Sequence, residues 1–158
     1  MGFMRGVTKR LMARAEKRLI QIAEKHGQPV VLIGWSLGGL YARVLAQRHP
    51  HLVKMVTTLG TPFSGNRRAN NAWRVYEALN DHLVDAPPIA DDVSVKPPMH
   101  TVAIWSSTDG VIPPPSAKGQ LHERDVEIEI HSRHLAFGSG HRPINEIVRI
   151  VGEQLERA

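Results

Sequence analysis

The stretch Val30-Val31-Leu32-Ile33-Gly34-Trp35-Ser36-Leu37-Gly38-Gly39-Leu40-Tyr41-Ala42-Arg43 constrains this chain more than any other. Within one turn its apolar pattern changes from a continuous run, Val30 to Ile33, to helical spacing at Leu37, Leu40, Tyr41, Val44 and Leu45. A buried strand, a sharp turn and a helix are predicted, with Ser36 on the turn. A hydroxyl is a poor nucleophile unless a base takes its proton, and it must stand clear of the backbone to reach a carbonyl carbon. A strained strand-to-helix turn meets the second need, and Gly34 and Gly38 are read as removing side chains that would collide across it. Leu37 follows the serine at the helix start, so its unpaired N–H is the candidate oxyanion donor. Trp35 is placed beside it, on the wall of a substrate pocket.

At 158 residues the chain is read as one domain, and a domain of that size buries about 68–70% of its unfolded surface. It contains no cysteine. Disulfides, thiolate metal sites and thiol nucleophiles are excluded, which fits a reducing compartment. No apolar run is long enough for a transmembrane segment, and no charged-then-apolar signal opens the chain. The expected location is cytoplasmic.

A net charge of +5 raises the question of a nucleic-acid partner. Much of the excess lies in Arg5, Lys9, Arg10, Arg14, Lys17 and Arg18, facing one acid, Glu16. In the same segment Val7, Leu11, Ala15, Leu19, Ile22 and Ala23 form one apolar stripe, with the cations mainly on the other side. That is the pattern of a solvated helix covering a sheet, and no nucleic-acid partner is expected.

Taken in order, a helix is predicted from about Val7 to His26, a strand over Val30–Gly34, a helix from Leu37 to about Arg48, and a buried strand over Val53–Leu59. Residues 63–98 read as a lid-like insertion. Trp73, Tyr76, Leu79, His82 and Leu83 keep helical spacing, and Pro87, Pro88, Pro97 and Pro98 bracket a polar loop. A third strand is predicted over Thr101–Trp105 and a fourth over Val126–Ile130, where Glu127 and Glu129 alternate with apolar residues. The last helix is expected to open at Pro143 as its first residue, with Ile144, Ile147, Val148, Val151 and Leu155 on one face. Strands alternating with helices imply crossover connections and a parallel sheet.

In such sheets reactive groups collect beyond the carboxyl ends of the strands. Among nine histidines, His131, His134 and His141 follow the fourth strand. His134 is taken as the base, with His141 in the same loop as its competitor. The orienting acid should also follow a strand, and Asp109 does so directly after the third. The three histidines do not come with a carboxylate pattern that would make them a metal site, so no metal and no cofactor are expected.

Four segments together resemble the alpha/beta-hydrolase family, in particular its lipase and esterase branches. They are Gly34-Trp35-Ser36-Leu37-Gly38-Gly39, Thr58-Leu59-Gly60-Thr61-Pro62-Phe63, Thr108-Asp109-Gly110-Val111-Ile112-Pro113 and Ser132-Arg133-His134-Leu135. The resemblance covers nearly the whole chain from about Val7. It implies an α/β fold, a parallel sheet flanked by helices, corresponding to the C-terminal part of an alpha/beta-hydrolase domain over residues 1–158. It also implies nucleophile Ser36, acid Asp109 and base His134, acting on a small-molecule ester or lipid through an acyl-enzyme. Trp35 and Phe63 are assigned to the substrate pocket, and the loop after Phe63 to the place of the lid. Family members carry further strands before the nucleophile strand, and one of them ends in the loop that gives the second oxyanion N–H. Their absence would leave the nucleophile strand with an open edge, suited to pairing with a second copy. It also frames an alternative reading, a catalytically impaired hydrolase-fold fragment or partner subunit.

Overall fold

The computed structural model describes residues 9–65 and 91–158. Helix α1 spans Lys9–His26, strand β1 Val30–Trp35, helix α2 Leu37–Arg48 and strand β2 Val53–Leu59. Strand β3 spans His100–Trp105, the short helix α3 Pro114–Lys118 and strand β4 Val126–Glu129. Helix α4, one turn over Ala136–Ser139, precedes helix α5, His141–Leu155. The four strands form one parallel sheet in the order β1-β2-β3-β4.

Hydrophobic periodicity accounts for this layout. On one side of the sheet Met12 and Leu19 of α1 and Val44 and Leu45 of α2 pack with Val56 and Ala103. On the other side Ile147 and Ile150 of α5 pack with Met55, Val102 and Ile104. Neighbouring residues Met55 and Val56, or Val102 and Ala103, thus enter opposite layers, as the alternation of side chains along a strand requires. Covered on both faces, β2 and β3 read as near-continuous apolar runs.

The predicted strand β1 is less buried than its composition suggests. Among the described residues it pairs on one side only, with β2, and Ile33 is 52% exposed. At the far edge Glu127 and Glu129 of β4 face outward, also as their alternation implied.

Two local expectations differ. Helix α5 starts at His141, two residues before Pro143. Pro143 is tolerated there because a first-turn N–H has no intrahelical acceptor to lose. The segment after β4, read as a loop, contains α4. Of the lid-like insertion, residues 66–90 lie outside the described residues, as does the start of the first helix at Val7.

The returning segment, residues 91–95, is held on α2. The Arg43 guanidinium donates to the carbonyls of Val93 (2.5 Å), Ser94 (3.1 Å) and Val95 (3.2 Å), and also to that of Glu123 (2.9 Å). Gln47 donates to the carbonyls of Asp92 and Val95, and Arg48 pairs with Asp91 and Glu16. Arg43 is fully buried, and burial pushes its guanidinium down to about 10, against the opposing pull of Glu123 and Asp92. It remains cationic at neutral pH and forms the polar centre of the α2 side of the core.

Candidate active site

Ser36 joins β1 to α2 with φ 52° and ψ −122°, and it is the one non-glycine residue with positive φ among those described. Such a conformation costs about 1–3 kcal/mol and persists only where its surroundings over-determine it. They do so here. The Ser36 N–H donates to the Leu59 carbonyl (2.8 Å), one step beyond the β1–β2 ladder, and the Ser36 carbonyl accepts from Gly39 N–H (3.0 Å). A Cβ on Gly34 would overlap the backbone of Gly38 and Gly39, and one on Gly39 would overlap the Thr61 side chain. Thr61 is fully buried, and its hydroxyl lies 3.4 Å from the Gly34 carbonyl and 3.3 Å from that of Leu59. The turn is therefore closed by contact of backbone with backbone and by one threonine.

This corrects the role given to Gly38. A Cβ there meets nothing within 4 Å. The second glycine that the turn needs is Gly39, whose notch is filled by Thr61 from the end of β2.

Two strand ends bring the remaining groups to Ser36. His134 follows β4 and Asp109 follows β3, both at the carboxyl ends of their strands. His134 Nε2 lies 3.0 Å from Ser36 Oγ, and His134 Nδ1 lies 2.8 Å from Asp109 Oδ2. All three side chains are buried. Asp109 Oδ1 accepts from the N–H groups of Val111 (2.9 Å) and Ile112 (2.7 Å), which fixes the carboxylate plane. An ionised Asp109 can only accept, so Nδ1 of His134 carries the shared proton and the lone pair of Nε2 faces the Ser36 hydroxyl. In this arrangement the imidazole can take the serine proton, and the carboxylate can stabilise the imidazolium that results.

Gly60, with φ +50°, lies against this pair. A Cβ there would stand 2.8 Å from Asp109 Oδ2 and 3.3 Å from His134 Nδ1. The Trp35 ring lies 5.7 Å from the His134 ring, centroid to centroid, and close enough to Gly138 that a Cβ on that residue would come within 2.9 Å of it. Trp35 thus leans from β1 onto α4 and covers the imidazole. Leu37 is the first residue of α2, a position whose N–H has no acceptor one turn back.

Phe63 lies elsewhere. Its ring is 2% exposed, 4.1 Å beneath the Arg43 guanidinium and tight against Gly119. It is a core residue that covers a buried cation, and not a wall of a pocket beside Ser36. His141, the competing histidine, is exposed on α5 and bonds to Asn145 (3.2 Å). His131 is exposed as well. Among the described residues no cluster of three or more His, Asp or Glu side chains is placed to hold a metal ion, and no helix is long and apolar enough to cross a membrane.

Sequence reasoning missed Gly60, Thr61 and Arg43. Arg43 did carry a signal: it is a lone cation between Ala42 and Val44 on a helix that is apolar nearly all round.

Comparison with known proteins agrees with this fold. The family model for the alpha/beta hydrolase fold matches residues 18–89. A 45-residue segment, 28% of this chain, is 53% identical to the chloroplastic pheophytinase of Arabidopsis thaliana, and that match spans 9% of the relative's length. Among solved structures, the monoacylglycerol lipase of Paleococcus ferrophilus superposes with a TM-score of 0.62 at 16% identity, over 98% of this chain and 78% of that one. The esterase domain of a Rhodothermus marinus protein gives a TM-score of 0.66 at 17% identity, over 92% and 68%. The enol-lactonase of Burkholderia xenovorans gives 0.64 at 13%, over 96% and 75%. At these identities the superpositions speak for the fold. A parallel sheet with this order, a family model that covers the strand–serine–helix unit, and these structural neighbours together show that the chain has the alpha/beta-hydrolase fold.

Proposed function

We propose that the chain is a serine hydrolase acting on carboxylic esters, with Ser36 as nucleophile, His134 as general base and Asp109 as the orienting acid. One observation carries the reading: a buried imidazole bridges a strained serine hydroxyl and a carboxylate, at 3.0 and 2.8 Å. As Ser36 Oγ attacks the ester carbonyl carbon, its proton passes to His134 Nε2, and the oxyanion is met by the N–H of Leu37. Collapse of the tetrahedral intermediate expels the alcohol, which takes the proton from His134. Water, deprotonated by the same nitrogen, then hydrolyses the acyl-enzyme. The substrate is a small-molecule ester or a lipid. Monoacylglycerol lipase and esterase among the structural neighbours are in keeping with that class.

The test is turnover of short-chain p-nitrophenyl esters, with a burst of nitrophenol when acylation is the faster step. Wild-type protein hydrolyses them and Ser36→Ala does not. Equal rates for the two proteins would remove Ser36 from the mechanism.

Among the described residues the outer edge of β1 carries no strand, which supports a second element of the reading, that a second copy of the chain pairs there. Light scattering after size-exclusion chromatography decides this. A dimer is expected, and a monomer at all concentrations would contradict it.

A further inference from the structure

We propose that Ser106 is a positioning residue for the acid–base pair: its side-chain hydroxyl fixes the loop that carries Asp109 against the loop that carries His134. The inference rests on the serine-hydrolase reading for its catalytic consequence, but not for its structural content.

The sheet ladder between β3 and β4 ends where the Ile130 N–H donates to the Trp105 carbonyl (2.9 Å). Further along both segments, the His134 N–H donates to the Asp109 carbonyl (2.9 Å). Between these two rungs the β3 side turns, and the Ser106 hydroxyl oxygen takes the place of a backbone acceptor. It accepts from the Ser132 N–H (3.1 Å) across the gap and from the Thr108 N–H (3.1 Å) within its own loop. Thr108 Oγ1 lies 3.0 Å from it and reaches the Ser132 carbonyl at 3.4 Å. A side chain therefore supplies the middle rung of a zipper whose last rung is the acid and the base themselves.

Ser106 is 2% exposed and Ser132 3% exposed, so water has little access to replace the lost acceptor at Ser132 N–H. Thr108 is exposed and can turn to solvent. Loss of the Ser106 hydroxyl thus frees the two loops to drift apart at the point where a small displacement changes the direction of His134 Nε2 toward Ser36. A misplacement of that kind costs about 10- to 100-fold in rate, without a matching change in substrate binding.

The experiment compares wild type with Ser106→Ala, Ser106→Cys and Thr108→Val. Cysteine keeps the volume but is a weak acceptor, so it preserves folding if alanine does not. Val53→Ala serves as a control, a buried residue at the opposite end of β2. Two quantities are read: kcat and KM on a p-nitrophenyl ester, and the low-field proton resonance of His134 Nδ1–H at fixed pH. Ser106→Ala and Ser106→Cys are expected to lower kcat about 10- to 100-fold with KM within about twofold, and to broaden or shift the resonance. Thr108→Val should stay near wild type in both. Unchanged kcat and resonance in both Ser106 variants would overturn the proposal, as would an equal kcat loss in Val53→Ala. If wild type shows no turnover, the hydrolase reading fails, and the resonance alone decides whether Ser106 positions His134.

Discussion

Asp109 holds His134 at two points, through its carboxylate at Nδ1 (2.8 Å) and through its backbone carbonyl at the His134 N–H (2.9 Å). The first contact selects the imidazole tautomer, and the second fixes the Cα from which the ring projects. Asp109→Asn keeps the second and spoils the first. It is expected to lower kcat by about 10⁴, the loss seen when the orienting carboxylate is amidated in a serine protease, with little change in the melting temperature. A loss of less than about tenfold in steady-state kinetics would mean that Asp109 is structural.

Gly60 separates the geometry of the pair from its chemistry. Gly60→Ala places a methyl group 2.8 Å from Asp109 Oδ2 and 3.1 Å from Phe137 Cε2, on a backbone with φ +50°. The carboxylate and the imidazole must both move. Ester hydrolysis is expected to fall at least about 100-fold, while stability falls by about 1–2 kcal/mol in urea unfolding. Full activity in this variant would show that the pair tolerates displacement, and that its close packing on Gly60 has no catalytic consequence.

The two glycines after Ser36 should behave oppositely. Gly39→Ala drives a methyl group into Thr61, and Gly34→Ala drives one into the α2 backbone. Each is expected to cost at least about 3 kcal/mol, or to prevent soluble expression. Gly38→Ala meets open space within a helix and is expected to be neutral or stabilising by up to about 1 kcal/mol. Thermal melts of the three variants test the order.

Arg43 links α2 to two separate segments through four carbonyl acceptors. A lysine ammonium cannot span them, so Arg43→Lys is expected to lose about 2–3 kcal/mol. The pH dependence follows from its folded value, which burial pushes down to about 10 from the usual guanidinium range. Below about 10 the cost of a buried cation is fully present. Above about 10 the folded state gives up the proton before the unfolded state does, so this residue's contribution to stability rises with pH. The difference in unfolding free energy between wild type and Arg43→Met should therefore shift in favour of wild type from about pH 9 to about pH 11. A difference that is flat or falls with pH would refute the depression.

Much of this was readable from residue order because local patterns and chemistry coincide. The change of period at Ser36 set the bounds of α2, and the runs Val53–Leu59 and Thr101–Trp105 were readable as strands, the second beginning one residue earlier, at His100. Ser36, Asp109 and His134, which the structure brings together, each follow a strand, and that position was visible in the residue order. What sequence did not reveal depends on contacts between distant segments. That Gly39 and not Gly38 closes the turn depends on Thr61, just beyond β2, whose register is set by the β1–β2 pairing. Phe63 looked like a pocket wall because an aromatic beside a site usually is one. Its partner, the buried Arg43, is visible only once α2 is packed.

Intact-mass measurement after exposure to a fluorophosphonate is the decisive experiment for an activated Ser36, because that probe forms a covalent bond only with a serine whose proton is removed by a base. A single adduct on wild type, absent from Ser36→Ala and slowed strongly in His134→Ala, is the predicted result. No adduct on protein shown by circular dichroism to be folded, or an adduct that persists in Ser36→Ala, would contradict it.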